Sequence, residues 1–232
     1  MVMEYMDYDL AGLLSHSGWT LTPANIKSLM QQMLSGLAYM HKRGILHRDI
    51  KGSNLLLNRH GQVKYADFGL ARTFHSKRMH EFTNRVITIW YRPPELLLGA
   101  TLYGGAVDVW SLGCIMVELF MRRPPFQGHN EITQLEQIYR VLGTPNETNW
   151  PDYKDLPWSS LLYPKAPQES RFRDIMSRHM DQQALDLAEA MLSMDPKKRP
   201  SAEMCLEHPY FTKSDIPPYF QYKGTGTNLN QR

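Results

Sequence analysis

Cysteine is nearly missing from this 232-residue chain: Cys114 and Cys205 stand alone and far apart. Two such residues exclude a disulfide scaffold and any Cys-rich zinc site, and they fit a reducing compartment. An excess of one charge is missing too, because 26 Lys and Arg face 23 Asp and Glu for a net +3. So small a balance gives no electrostatic footprint for direct nucleic-acid binding or for an anionic membrane. No long apolar run occurs. The most apolar stretch, Val109 to Met121, carries Ser111, Gly113 and Glu118, whereas a spanning helix needs about 20 apolar residues. The opening residues meet Glu4 and Asp7 with no basic region before them, unlike a secretory leader. Internal repeats and low-complexity tracts are absent as well, and the Gly-, Thr- and Asn-rich end, residues 221–232, reads as a tail.

What remains has ordinary globular composition, with 42% hydrophobic residues and 21% charged. Residues 1–6 read as the end of a strand, and Leu10 to Leu14 as a short helix. Thr22 and Pro23 suit the N-cap and first position of a long helix. Its apolar face is Ile26, Leu29, Met30, Met33, Leu34, Leu37 and Met40, and it ends near Arg43-Gly44. Leu55–Leu57 and Val63–Tyr65, separated by Asn, Arg, His and Gly, read as a hairpin. Asp67 to Glu95 has no period. Helices are expected again over Val107–Met121, Ile132–Leu142, Gln182–Leu192 and Ala202–Glu207, with residues 144–173 irregular. Strands are expected only at the front, which makes the fold mainly α.

Three short motifs carry the chemistry. Residues 47–54 read His-Arg-Asp-Ile-Lys-Gly-Ser-Asn, Asp67-Phe-Gly follows, and Pro93-Pro-Glu95 closes the aperiodic stretch. Phosphoryl transfer asks a protein to position reactants and neutralise charge. Asp49 is suited to take or orient the proton of a substrate hydroxyl. Asn54 and Asp67 are hard oxygen ligands suited to Mg2+, and Lys51 is a mobile point charge for the transferred phosphate. Taken singly, Asp49 and Asp67 read as turn or capping acids; the ordered set of motifs is what points to catalysis.

From Met1 to about Phe220 the chain resembles the large, C-terminal lobe of a cyclin-dependent protein kinase, with residues 1–220 as one domain. The runs Asp67-Phe-Gly-Leu-Ala-Arg72 and Val86-Ile-Thr-Ile-Trp-Tyr-Arg-Pro-Pro-Glu95 carry the resemblance. Asp9-Leu10-Ala-Gly-Leu-Leu14, Asp49-Ile-Lys-Gly-Ser-Asn54 and Thr83-Asn-Arg-Val-Ile-Thr88 look most like the transcriptional members that phosphorylate the C-terminal repeats of RNA polymerase II. The resemblance implies ATP and Mg2+ as cofactors, a K-like cyclin as partner, polymerase repeats as substrate and the nucleus as location.

It also implies roles. Met3, Glu4 and Met6 would line the adenine edge, Asp9 would face the ribose and Leu56 would lie under the base; the two methionines are equally readable as core. Thr83 would be an activation phosphosite facing Arg48 and Arg72, or else an unmodified loop threonine. Thr88 would bond Asp49 and Lys51. Ile87 and Arg92 would shape a pocket for the residue after the target hydroxyl, and a pocket lacking an acceptor favours proline, which has no N–H to leave unpaired. Asp108 would brace the catalytic loop, Glu95 and Arg199 would form a buried ion pair, and Trp90, Trp110, Trp150 and Trp158 would serve packing. The histidines show no pair with a third metal ligand nearby. No Gly-x-Gly-x-x-Gly or Val-Ala-Ile-Lys-like run precedes Asp49. The small β-rich lobe is therefore expected to be absent, and the 232 residues alone to bind ATP weakly. An incompetent kinase lobe acting as a protein-interaction module is the alternative reading.

Overall fold

Thr22 and Pro23 start the long helix as their residue types require. The structure, a computed structural model, describes residues 4–16, 18, 20–74, 80–164 and 166–213. Met3 and the tail at 221–232 lie outside the described residues, as do Ser76 and residues 214–220. The first strand, β1, is Tyr8–Asp9, and α1 is Leu10–Ser15. The strand expected over residues 1–6 thus falls later, where Tyr8 and Asp9 pair with Leu57 and Leu56.

Helix α2 runs from Pro23 to Lys42. Thr22 Oγ1 accepts from Asn25 N, and Asn25 Oδ1 accepts from Thr22 N, so two orphan N–H groups are satisfied together. All seven apolar residues named for its face are buried. Each contributes roughly 1.5–3 kcal/mol through burial. Lys42 puts positive charge at the negative end of the helix. Gly44 then takes φ +68°, and a Cβ there would lie 2.5 Å from the Phe74 carbonyl oxygen. Only glycine fits that turn.

Strand β2 (Ile45–Leu46) leads into the motif loop, and β3 (Leu55–Leu57) with β4 (Val63–Tyr65) forms the expected hairpin, completing an antiparallel sheet β1-β3-β4. The aperiodic stretch holds two-residue strands β5 (Arg72–Thr73), paired with β2, and β6 (His80–Glu81). Helix α3 (Pro94–Leu97) and strand β7 (Leu102–Tyr103) follow, and β7 pairs with β6. Strands are therefore not confined to the front. Two-residue pairings made across the fold carry no local period.

Helix α4, Ala106–Met121, is buried on nearly every side, which explains its continuous apolar run. It packs against α2 and against α7 (Gln182–Met191); between them in sequence come α5 (Glu131–Leu142) and α6 (Phe172–Met176). The last helices are α8 (Ala202–Leu206), which lies on α2, and α9 (Pro209–Thr212). Trp110 and Trp150 are core residues as expected; Trp90 is half-buried with its indole N–H on the Gly128 carbonyl, but Trp158 is 36% exposed. Both cysteines are free and buried. Among the described residues no helix is long and apolar enough to cross a membrane.

Candidate active site

The motif loop hangs from one buried carboxylate. Asp108, in the first turn of α4, accepts the His47 amide on Oδ2 at 3.0 Å and the Arg48 amide on Oδ1 at 2.9 Å. His41 Nε2 lies 2.9 Å from the same Oδ2. Burial pushes the Asp108 carboxyl up, but His41 and the two amides outweigh it and hold it below the usual carboxylate range. These bonds fix Arg48 at φ 65°, a left-handed backbone that a non-glycine residue adopts at a cost of about 1–2 kcal/mol. The expectation that Asp108 braces the loop is met. His41 was missed, since five residues of helix end, turn and strand separate it from the motif and no spacing marks it.

That kink presents Asp49. Its Oδ2 accepts Lys51 Nζ at 2.8 Å and Asn54 Nδ2 at 3.0 Å, and its Oδ1 accepts Thr88 Oγ1 at 3.1 Å. Burial again works to raise the Asp49 carboxyl, and the Lys51, Thr88 and Asn54 bonds together bring it below its ordinary value. The group is an anion at neutral pH. Lys51 reaches Asp49 directly, and Thr88 takes the opposite oxygen.

Asn54 spends its amide N–H groups on the Asp49 carbonyl and carboxylate, which leaves its Oδ1 as an acceptor. Its backbone carbonyl accepts Ala66 N at 2.9 Å, setting Asp67 one residue beyond. Asp67 is exposed at φ 58°, with Oδ1 accepting Gly69 N at 3.2 Å. His47 ties the same corner, its Nδ1 accepting from Asp49 N and its Nε2 facing the Ala66 carbonyl at 3.1 Å. The arrangement thus offers hard oxygens on the buried Asn54 and the exposed Asp67 beside an anionic carboxylate. Among the described residues no group of three His, Cys, Asp or Glu gathers as a metal cluster.

On the adenine side the picture is mixed. Asp9 and Leu56 are cross-strand partners, so the structure brings them together. Asp9 Oδ1 caps α1 through Gly12 N at 2.9 Å, the plain capping role of an aspartate. Met6 is half-buried, and the Glu4 side chain pairs with Lys64 at 3.1 Å. Met3 lies outside the described residues.

Thr83 is exposed, its hydroxyl accepting Arg85 N at 3.3 Å. The hydroxyl of Tyr103 donates to the Thr83 carbonyl at 2.7 Å and accepts from Arg48 Nη1 at 3.0 Å. Arg72 donates to the Ala71 carbonyl, and its charge also acts on the Tyr103 phenol. Both arginines therefore flank the phenol that touches Thr83. Tyr103 was missed because strand β7 gives no local signal.

Ile87 is buried with φ 66°, an outlier for a β-branched residue. Arg92 explains how it is held: Nε donates to the Val86 carbonyl at 2.9 Å, Nη2 to the Ile87 carbonyl at 3.1 Å, and Nη1 to Glu131 at 3.2 Å. The Glu95–Arg199 pair is present as expected, with two bonds of 2.6 and 2.7 Å and both side chains buried.

A protein kinase domain model matches residues 1–211. The chain belongs to the protein kinase family. This kinase is 53% identical over 218 residues to the CTD kinase subunit alpha of Schizosaccharomyces pombe, covering 94% of the chain and 37% of that protein. It is 48% identical over 214 residues to cyclin-dependent kinase 12 of Drosophila melanogaster, covering 92% of the chain and 18% of that protein. The chain thus spans less than half the length of either relative. In three dimensions the kinase superposes on a chain of the yeast RNA Pol II CTD kinase CTDK-1 complex with a TM-score of 0.90 and 41% identity, covering 94% of this chain and 72% of that one. The mainly helical architecture with few strands is that of the protein kinase fold.

Proposed function

We propose that this kinase chain carries the catalytic and substrate-selecting machinery of a cyclin-dependent Ser/Thr kinase that phosphorylates Ser-Pro and Thr-Pro sites in the RNA polymerase II C-terminal repeats. The observation that carries the reading is the Asp49 carboxylate, with Lys51 and Asn54 on one oxygen and Thr88 on the other. The substrate hydroxyl oxygen forms a bond to the γ-phosphorus of ATP, the bond to the bridging oxygen breaks, and ADP departs. Asp49 receives or orients the hydroxyl proton. Lys51 stands beside Asp49 to neutralise charge on the moving phosphoryl group. Asn54 Oδ1 and Asp67 are the oxygens that would hold Mg2+, which when bound offsets the phosphate charge.

Selection of proline follows from Arg92. The Val86 and Ile87 carbonyls are already occupied by its guanidinium, so a substrate amide placed after the target hydroxyl meets no free acceptor there. Proline loses nothing, while another residue leaves a buried donor unmade at about 1–3 kcal/mol. Thr83 is the proposed activation phosphosite, with Arg48 and Arg72 around Tyr103 as its anchors. A K-like cyclin partner and a nuclear location rest on the names of the relatives and on the resemblance.

The test is phosphorylation of a polymerase-repeat peptide with Mg-ATP and the cyclin partner. Asp49→Asn is expected to lower turnover about 100-fold or more. Arg92→Lys is expected to narrow the preference for Ser-Pro over Ser-Ala about tenfold, because an ammonium cannot cover both carbonyls. Full turnover by Asp49→Asn sinks the catalytic assignment. Peptide binding with no turnover in the unaltered protein favours an interaction module.

A further inference from the structure

Behind the Thr83-bearing segment lies a groove of about 460 Å3 that shares no lining residue with the Asp49 cluster. Its walls are apolar, formed by Leu102 and Tyr103 of β7 on one side and by Trp150, Leu156 and Pro157 on the other. Leu102 is 46% exposed there, while Trp150 and Tyr103 are buried beneath. The rim is acidic. Asp152 and Asp155 stand against one ammonium, Lys197, which is already paired with Asp152, and Asp195 lines the groove as a buried carboxylate whose Oδ1 accepts Lys197 N. Glu95 at the floor is neutralised by Arg199. The rim therefore keeps the exposed Asp155 carboxylate in excess over the buried Asp195, a field that repels phosphates and anionic lipids and attracts Lys and Arg.

We infer that this groove docks a peptide segment that presents one aliphatic or aromatic side chain flanked by Lys or Arg. The apolar side chain enters between Leu102 and Trp150, and a flanking cation meets Asp155. Main-chain pairing carries the effect onward: His80 pairs with Tyr103, Glu81 with Leu102, and Phe82 N donates to the Thr101 carbonyl at 2.7 Å. An occupant pressing on β7 thus steadies β6 and the approach to Thr83. This goes beyond substrate recognition at Ile87 and does not depend on catalysis.

The test uses the full 232-residue chain and a fluorescein-labelled Lys-Lys-Leu-Tyr-Lys-Lys peptide, followed by fluorescence anisotropy. Saturable binding is expected, weakening as salt is raised. Asp155→Lys is expected to weaken it about tenfold and Leu102→Ser about threefold, with thermal unfolding of both variants compared to the parent. Lys-Lys-Ser-Ser-Lys-Lys is expected to bind about tenfold more weakly. Independently of any variant, amide shifts in the unaltered protein should centre on residues 101–104 and on the Trp150 indole, and exchange at the Phe82 amide should slow. Equal binding of the Leu-Tyr and Ser-Ser peptides overturns the proposal, since charge alone then suffices. So do unchanged affinity in both variants, shifts confined to another face, tighter binding of Glu-Glu-Leu-Tyr-Glu-Glu, and self-association of the chain with no peptide bound.

Discussion

The two halves of the stretch from Asp67 to Glu95 are held in opposite ways. From Val86 onward the chain is buried and anchored by side chains: Arg92 on two carbonyls, Tyr91 on Glu118 at 2.8 Å, Ser111 on the Tyr91 carbonyl at 2.8 Å, and Glu95 on Arg199. Among the described residues from Asp67 to Phe74 the chain is shallow. Phe68 and Leu70 are 48% and 40% exposed, and the anchors are two-residue strand pairs and single bonds such as Arg48 to the Leu70 carbonyl at 2.8 Å. The substrate platform proposed for residues 86–95 would gain from burial, which keeps one register. Were Thr83 to carry the proposed phosphate, the segment before it would gain from anchors weak enough to exchange.

The largest effect that bears on this contrast comes from the rear anchor. Arg199→Met leaves the Glu95 charge buried and unpaired, and is expected to cost about 3–5 kcal/mol in urea unfolding. Pairing it with Glu95→Leu should recover most of the loss. A single-variant cost under about 1 kcal/mol would mean that the rear half is not held by this pair.

Tyr91→Phe comes next. It removes the phenol that donates to the buried Glu118 carboxylate, and about 1–3 kcal/mol of stability should go with it. The matching change at the front should be milder.

The pH dependence sharpens the same contrast. Burial pushes Glu118 up from 4.5, and the Tyr91 bond only partly offsets this. The folded state then binds this proton more tightly than the unfolded chain does, so its contribution is present below 4.5 and is lost as pH rises through the raised value. Asp49 and Asp108 sit below 3.8, so their contributions persist above 3.8 and vanish only as pH falls beneath it. Above pH 4.5, Glu118→Gln should flatten a loss of stability that is under about 1.4 kcal/mol per pH unit. A slope unchanged by Glu118→Gln would assign it elsewhere.

The smallest global effect is expected from Tyr103→Phe, which cuts the link from Arg48 to the Thr83 carbonyl. Overall stability should fall by about 1 kcal/mol, while trypsin cleavage at Arg85 should quicken several-fold. Unchanged cleavage would mean that the phenol does not restrain the front half.

Long elements and the motif loop were legible in the sequence because their signals are local. Thr22-Pro23 and seven apolar residues at helical spacing define α2, the Asp49 and Asn54 grouping follows from motif order, and Thr88 joined it through the family resemblance. The front of the Asp67–Glu95 stretch was not legible. Strands of two residues have no period, and Tyr103 finds Thr83 across twenty positions of sequence. His41 was hidden for a similar reason, since its partner Asp108 lies on a different helix. Arg92 was expected beside Ile87, but its hold on the carbonyls of a left-handed Ile87 is visible only in three dimensions.

Asp108 ties the fate of the chemistry to that of the whole molecule. The amides of His47 and Arg48 hang from a helix that lies at the centre of the core, so fraying at the surface leaves the geometry around Asp49 intact. Heat inactivation of the catalytic loop should therefore follow the clock of complete unfolding, with no earlier local melting step.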